Sequence, residues 1–356
     1  MKFLSNIYVA LLTFIISSTL LTFSIFNFYI GKVSNDTTIK TIEIKPGSID
    51  TIGKTLKEEG LIKNKTAFKI YIKLTGKTNL KAATYKLSEN MGVKEIVKIL
   101  ESNNGTNNQE ITITFKEGIN VRKFAKIIAE STNNKEEDII NKIKDKEYLN
   151  ILINKYWFLT DEILNDNIYY PLEGYLYPNT YYFSSNNVTI EEIIEKLLNE
   201  TEKKLTPHKD KIQNNNMSLH KVLTLASLVE LEGVNEADRK NIASVFINRL
   251  NINMSLGSDV TTYYGAGIDM GERDLTSAEL NQCNNYNTRC LTFQGLPISP
   301  IANPSLESIL AVLEPESTNY YYFVADKNKK VYFSKNLEEH NNTIYRLKIN
   351  DLWYEY

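Results

Sequence analysis

The stretch Leu223–Leu250, LTLASLVELEGVNEADRKNIASVFINRL, decides how the rest of the chain is read. Its first part continues an almost unbroken apolar run, Val222 to Val229. A helix with apolar residues on every side is buried on most sides. The run ends on a carboxylate, Glu230, followed by a second, Glu232, and a helix stop, Gly233. Asn235, with Asp238 three residues on, resembles a capping box and opens a second helix with Ile242, Val245, Phe246 and Leu250 at helical spacing. A carboxyl at the end of a buried helix is costly to ionise. Desolvation raises its pKa, and the negative end of the helix dipole adds to that. Such a group can stay protonated near neutral pH and donate its proton, as a glycosidase acid does. The same residues also read as a helix C-terminus with solvated glutamates, and spacing alone leaves both readings open.

The whole chain, 356 residues with a formal charge of −2, is long enough for two to three domains and a substantial core. Its Lys and Arg residues are dispersed and no nucleic-acid motif is present, so no polyanion partner is expected. Residues Leu4–Ile30 contain no Asp, Glu, Lys or Arg. At a rise of about 1.5 Å per residue this segment is long enough to cross a bilayer. A cleaved signal peptide is the alternative, but its apolar part would be shorter and would end in an A-x-A pattern, which is not found before Lys32. An uncleaved single-pass anchor over residues 1–30 is therefore expected. The flanking charges, Lys2 against Lys32 and Lys40, leave its orientation open. The two cysteines, Cys283 and Cys290 in NQCNNYNTRC, lack zinc or redox spacing. A small disulfide loop is plausible if this part lies outside the cytosol.

After a short polar linker, TIEIKPG alternates as a strand and closes on Pro46-Gly47. Ser48 can cap a helix that places Ile49, Ile52 and Leu56 on one face and stops at Gly60. A second helix runs from Thr66 to Leu74, and KAATYKLSENMGVKEIVKIL reads as strand, turn and helix. ESNNGTNNQ, Glu101–Gln109, is a polar connector and the best domain boundary. ITITFKEGINVRKFAKIIAES then restates the strand–turn–helix pattern, with Gly118 where Gly47 stood. Lys135–Lys155 is a helical region, and Tyr169–Phe183, YYPLEGYLYPNTYYF, suits a rigid surface loop with strand ends. Ile190–Leu205 is an amphipathic helix, and Ser218 caps the buried one. Met254–Gly271 reads as loop, Leu275 starts a short helix, and GLPISPIANPS is a Pro-rich loop. Tyr320–Ala325 and Val331–Ser334 form a hairpin, and Leu337–Trp353 is a closing helix. The fold class is α+β.

Several of these segments, in this order, resemble the endolytic murein transglycosylase family, also called YceG-like: the N-terminal anchor, TYKLSENMGVKEIVKIL, LEGYLYPNTYYF, LASLVELE, SVFINRL, LGSDVTTYYGAG, YNT followed by GLPISPIANPS, and YYFVADKNKKVYFSKNLEEHN. The resemblance covers nearly the whole chain beyond the anchor. It implies a transmembrane helix (1–30), a small LysM-like α/β domain (31–108), a first part of the catalytic region (109–216) and a catalytic core (217–356). The N-terminus would be cytoplasmic and the bulk extracytoplasmic. The family's catalytic glutamate falls on Glu230 and its second glutamate on Glu232. Two positions apart on a helix, their side chains point in nearly opposite directions and should not share one role. In the loop after the second helix, Gly257-Ser258-Asp259-Val260-Thr261 stands where the family usually has Gln-Ser/Thr-Asp-Pro-Thr. Ala83 replaces a usual glycine, and the two cysteines are not part of the pattern.

The resemblance further implies cleavage of the β-1,4 bond between N-acetylmuramic acid and N-acetylglucosamine. The substrate's own C6 hydroxyl would attack C1 and leave a 1,6-anhydro end, so that Glu230 could act first as acid and then as base. No metal or cofactor is called for. Peptidoglycan glycan strands are the expected substrate, and the wall synthases the expected partners. Substrate-contact candidates are Glu173, Asp259, Thr261, Tyr264 and Asn287, all expected on loops. Each also has a bland reading: Glu173 as a loop anchor, Asp259 as a turn cap, Asn287 as a brace for the Pro-rich loop. A muramidase with Asp259 as second carboxylate, or a non-catalytic wall-binding scaffold, are the competing functions.

Overall fold

In the computed structural model, which describes residues 2–102, 111–233, 235–290 and 292–353, both strand–turn–helix patterns are built. The chain divides into two compact units, residues 1–111 with 183–187, and residues 112–182 with 188–356. The first unit begins with α1 (Lys2–Ile30), whose segment Leu11–Ile30 is long and apolar enough to span a membrane. There follow β1 (Lys40–Ile44), α2 (Ile49–Glu58), α3 (Lys65–Thr75), β2 (Ala83–Leu87) and α4 (Val93–Glu101). The two strands pair antiparallel with Ile42 opposite Tyr85. Alternation then puts Ile42, Ile44, Ala83, Tyr85 and Leu87 on one buried face. Against that face lie Ile52 and Leu56 of α2, Phe68 and Ile72 of α3, and Ile96, Val97 and Leu100 of α4. Each such side chain stabilises the unit by roughly 1.5–3 kcal/mol relative to exposure. Ser48 caps α2 by accepting from the Thr51 N–H, as expected. The boundary expected at 108/109, and most of the polar connector, lie outside the described residues.

The second unit holds all but the end residues of β3 (Ile111–Thr114) and β4 (Thr180–Phe183), which pair with each other. Between them lie α5 (Val121–Ser131), α6 (Glu136–Lys144) and α7 (Lys146–Lys155). The helical region expected over 135–155 is thus two helices. Asp145 ends one and caps the next, accepting from the Glu147 and Tyr148 N–H groups. Then come α8 (Ile190–Leu205), α9 (Lys209–Gln213), α10 (Leu219–Glu232), α11 (Glu236–Asn251), α12 (Asp259–Gly265), α13 (Ser277–Asn281), α14 (Leu306–Leu313), the antiparallel hairpin β5 (Tyr322–Ala325) and β6 (Val331–Ser334), and α15 (Leu337–Ile349). Small two-stranded sheets with helices apart from them make the fold α+β.

The helix α10 is the axis of this unit. From Val222 to Val229 every residue is buried, because α11, α12 and α14 all pack on it. That enclosure accounts for the unbroken apolar run. Three segments differ from the sequence reading. Met254–Gly271 was expected as loop, yet it holds α12, whose Val260, Thr261, Thr262 and Tyr264 turn inward. Glycines and β-branched residues weaken the helix signal there. Residues 306–313 were assigned no element; Ser305, at the end of the Pro-rich run, caps α14 by accepting from the Ser308 N–H. Tyr169–Phe183 was expected on the surface, but residues 172–176 are buried.

Candidate active site

Glu230 and Glu232 leave the end of α10 on opposite sides, as their spacing requires. The Glu230 side chain is only 6% exposed and points at the N-terminus of α14. Its Oε2 accepts three hydrogen bonds: from the Ser305 N–H at 2.9 Å, the Ser305 hydroxyl at 2.5 Å and the Ser308 hydroxyl at 2.7 Å. The positive end of the α14 dipole favours a carboxylate in this place. Oε1 faces Nη2 of Arg239, from α11, at 3.4 Å. Gly233 makes that approach possible. A Cβ on it would come within 2.6 Å of Arg239 Cγ and 2.9 Å of the Val229 carbonyl oxygen. Glycine here serves close packing as well as ending the helix.

The turn between β3 and α5 completes this wall. Gly118 has φ +74°, and a Cβ there would lie 3.6 Å from Glu230 Cγ and 3.3 Å from Leu231 Cδ2. Its N–H donates to the Asn303 carbonyl at 2.9 Å, and the Asn303 N–H to the Ile119 carbonyl at 3.0 Å. Glu117, one residue earlier, is exposed. Its carboxyl is raised by partial burial and by the charges of Glu230 and Glu307, with Arg239 opposing. Tyr177 stands close by. Burial and the Glu307 charge push its hydroxyl up to about 12, with the Leu306 backbone acting in the other direction.

The second glutamate of the pair lies elsewhere. Glu232 Oε1 accepts from the Ser258 hydroxyl at 2.6 Å. Burial raises its carboxyl, while that hydroxyl and Arg249 act in the other direction. It therefore braces the start of α12. Arg249 itself donates to the carbonyls of Tyr321 and Leu256.

The five other candidates fall into two groups and a lone residue, none of them gathered around Glu230. Glu173 is 0% exposed. Its oxygens accept from the Val121 N–H, the Tyr264 hydroxyl and Asn303 Nδ2 at 2.9–3.1 Å. Burial pushes its carboxyl up to about 8 against those bonds. Tyr264 belongs to the same hub and is buried with it. Thr261 and Asn287 are also fully buried. The Thr261 hydroxyl donates to the Ser258 carbonyl and meets Thr288 Oγ1 at 2.8 Å. Asn287 Nδ2 donates to the carbonyls of Leu280 and Gln282, and its Oδ1 accepts from Thr262. It braces the α13 end rather than the Pro-rich loop. Asp259 is exposed and ion-paired with Arg289. Cys283 and Cys290 form a disulfide across a Cα separation of 5.2 Å. Among the described residues no group of three His, Cys, Asp or Glu is placed to hold a metal ion. A separate cavity of about 1100 Å³ lies at the other end of α10, by His220 and Lys221.

A family model described as the YceG-like family matches residues 42–346. The chain belongs to the YceG-like family. It is 37% identical over 306 residues to the endolytic murein transglycosylase of Bacillus subtilis (strain 168), covering 85% of this chain and 83% of that protein. To the endolytic murein transglycosylase of Streptococcus pneumoniae serotype 2 (strain D39) it is 31% identical over 318 residues, covering 85% of this chain and 57% of that protein. A 2.6 Å crystal structure of a yceG-like protein from Listeria monocytogenes superposes with a TM-score of 0.62 and 36% identity, covering 86% of this chain and all of that one. The matched span includes the whole wall around Glu230. In this YceG-like chain the sequence pattern marks the glutamate but not its neighbours Glu117, Tyr177, Arg239, Ser305 and Ser308. Their signals are short: a Glu-Gly turn after a strand, and a Ser-x-x-Ser after Asn-Pro.

Proposed function

We propose that the chain is a membrane-anchored endolytic lytic transglycosylase of peptidoglycan, with Glu230 as its catalytic carboxyl. The curated relatives named endolytic murein transglycosylases support the substrate and the reaction class. The observation that carries the residue assignment is the asymmetric cradle of Glu230. Three donors take up Oε2, whereas among the described residues Oε1 meets only the Arg239 guanidinium at 3.4 Å. The carboxyl is thereby oriented, with one oxygen left to exchange a proton with substrate.

On this reading Glu230 gives its proton to the glycosidic oxygen as the bond from C1 of N-acetylmuramic acid breaks. Arg239 and the α14 N-terminus stabilise the carboxylate that remains. The C6 hydroxyl of the same sugar closes on C1, and a carboxylate takes its proton. Glu230, once deprotonated, can do this itself. The 1,6-anhydro end forms without an attacking water. Glu173, Thr261, Tyr264 and Asn287 bear on the substrate through the loops they brace, and Asp259 through its exposed carboxylate. The first unit is LysM-like and contacts glycan strands. The N-terminus is cytoplasmic, the catalytic part extracytoplasmic, and the enzyme trims strands made by the wall synthases. The apolar helix α1 supports the anchor.

The test is digestion of purified, uncrosslinked glycan strands by the full chain in detergent micelles, with product ends read by mass spectrometry. Anhydro ends are expected. Reducing ends would instead mean a muramidase. No cleavage by either the parent or the Glu230→Gln variant would leave a binding scaffold.

A further inference from the structure

We propose that Glu117 is a second catalytic carboxylate of this site, taking the C6 hydroxyl proton while Glu230 protonates the leaving oxygen. The proposal rests on the Glu230 reading above and refines it. Its first support is the fixed position of the turn. The Phe115 N–H donates to the Asn179 carbonyl at 2.9 Å, and Gly118 and Ile119 exchange backbone bonds with Asn303. Val121, just beyond, donates to both oxygens of the buried Glu173. The backbone of an exposed residue is therefore held on both sides.

The second support is proximity. The adjacent Gly118 is seated against the Glu230 side chain, and a Cβ on it would lie 3.6 Å from Cγ. The charges of Glu230 on α10, Glu307 on α14 and Arg239 on α11 act on the Glu117 carboxyl, and its own charge acts on the Tyr177 hydroxyl. The third is that it has no direct partner. Among the described residues no hydrogen bond or ion pair ends on Glu117, and Arg239 pairs with Glu230 instead. The nearby carboxylates disfavour its charged form, and its exposed oxygens are open to a donor. A sugar hydroxyl is a donor of the right kind.

The chemistry also favours two groups. With Oε2 of Glu230 taken up by three donors, a single carboxyl would have to serve both the leaving oxygen and the C6 hydroxyl through Oε1. With Glu117 as base the step balances without any further reactant. The C1–O4 bond breaks and O4 takes the Glu230 proton. The O6–C1 bond forms and the O6 proton passes to Glu117. Water, which reaches the exposed Glu117, then returns both groups to their starting states. Burial and the neighbouring charges that raise the Glu117 carboxyl bring it nearer the range suited to a general base.

The experiment compares the full chain in detergent with Glu117→Gln, Glu117→Asp, Glu117→Ala and Glu230→Gln on purified glycan strands, across pH. Glu117→Gln is expected to lower kcat about 100-fold, with KM changed less than about threefold. The acid limb of its kcat profile, set by ionisation of the base, should disappear while the products keep anhydro ends. Glu117→Asp should recover part of the rate, and added formate should recover part of it in Glu117→Ala. Glu117→Gln within about threefold of the parent, with the acid limb intact and Glu230→Gln inactive, would overturn this inference and leave the role of Glu230 standing. Full activity in Glu230→Gln would remove both.

Discussion

Two glutamates of the second unit, Glu230 and Glu173, sit in cradles that look alike at first sight and differ in kind. Both are held by donors from distant parts of the chain, and both meet the Asn303 region. Glu173 is sealed: each oxygen has partners, no surface is exposed, and the loop, α5 and α12 converge on it. Glu230 has donors crowded onto one oxygen while the other faces a guanidinium at the long end of hydrogen-bond range. Burial alone would single out Glu173, whose carboxyl is the one pushed to about 8. On the proposed reading, a working carboxyl is recognised by what its surroundings leave unsatisfied. Both oxygens of Glu173 are already occupied within the protein.

The sharpest way to break this comparison is to neutralise each glutamate in turn. Glu230→Gln should lower glycan cleavage about 1000-fold with the melting temperature within a few degrees of the parent. Full activity in that variant, with loss in Glu232→Gln, would move the assignment two residues. Glu173→Ala should do the reverse. It leaves three buried donors unpaired and should cost about 3 kcal/mol of stability, read by denaturant unfolding of the full chain. Linkage adds a pH signature. The Glu173 carboxyl is raised in the folded state, so its contribution is fully present below its ordinary value of 4.5 and is lost as pH rises towards about 8. Stability should therefore fall across that window, and Glu173→Gln should flatten the slope. A slope unchanged in Glu173→Gln would mean another group titrates there.

Much of the fold was legible because its elements carry local signals. Ser48, Ser218 and Asn235 each cap the helix expected after them. The alternation of Ile42, Tyr85 and Leu87 marked the first sheet. The failures lie where tertiary burial overrides local pattern. The motif Tyr169–Phe183 looks like a surface loop because it is rich in Tyr, Pro and Gly, yet its residues 172–176 are interior, where Asn303 and Glu173 satisfy the neighbourhood. Of the proposed site, the sequence marked one glutamate, Glu230. Its cradle comes from residues 75 and 78 positions later, Ser305 and Ser308, on a helix hidden behind a Pro-rich run. No periodicity links a donor to an acceptor at that distance. Glu117 was missed for the same reason, since only the folded turn brings it to Glu230.

Gly118 tests whether the two regions share one support. It bonds to Asn303, which also serves Glu173, and it is seated against Glu230. Gly118→Ala places a side chain at φ +74°, a strain of about 1–2 kcal/mol. The new methyl would also press on Leu231 and Glu230. Stability and kcat should both fall, each less than in the glutamate variants. A loss of stability with kcat unchanged would separate the turn from the chemistry and weaken the case for Glu117 as well.

The smallest expected effects give the finest comparison, because each removes a single donor from one cradle. Ser308→Ala takes one of three hydrogen bonds from Glu230 Oε2. Two donors and the helix dipole remain, so the carboxyl stays in place but is less firmly oriented. A hydrogen bond of this kind is worth about 0.5–1.5 kcal/mol. A fall in kcat of about tenfold follows, with a change in stability under about 1 kcal/mol. Tyr264→Phe takes one donor from Glu173 and keeps the buried ring. It should lower stability by about 1 kcal/mol and leave kcat within about twofold. The two variants therefore cross: one is read in rate, the other in unfolding. If Tyr264→Phe lowered kcat as much as Ser308→Ala did, the Glu173 hub would be transmitting to the active carboxyl through Asn303. The sealed glutamate would then have to be counted as a positioning residue of the site.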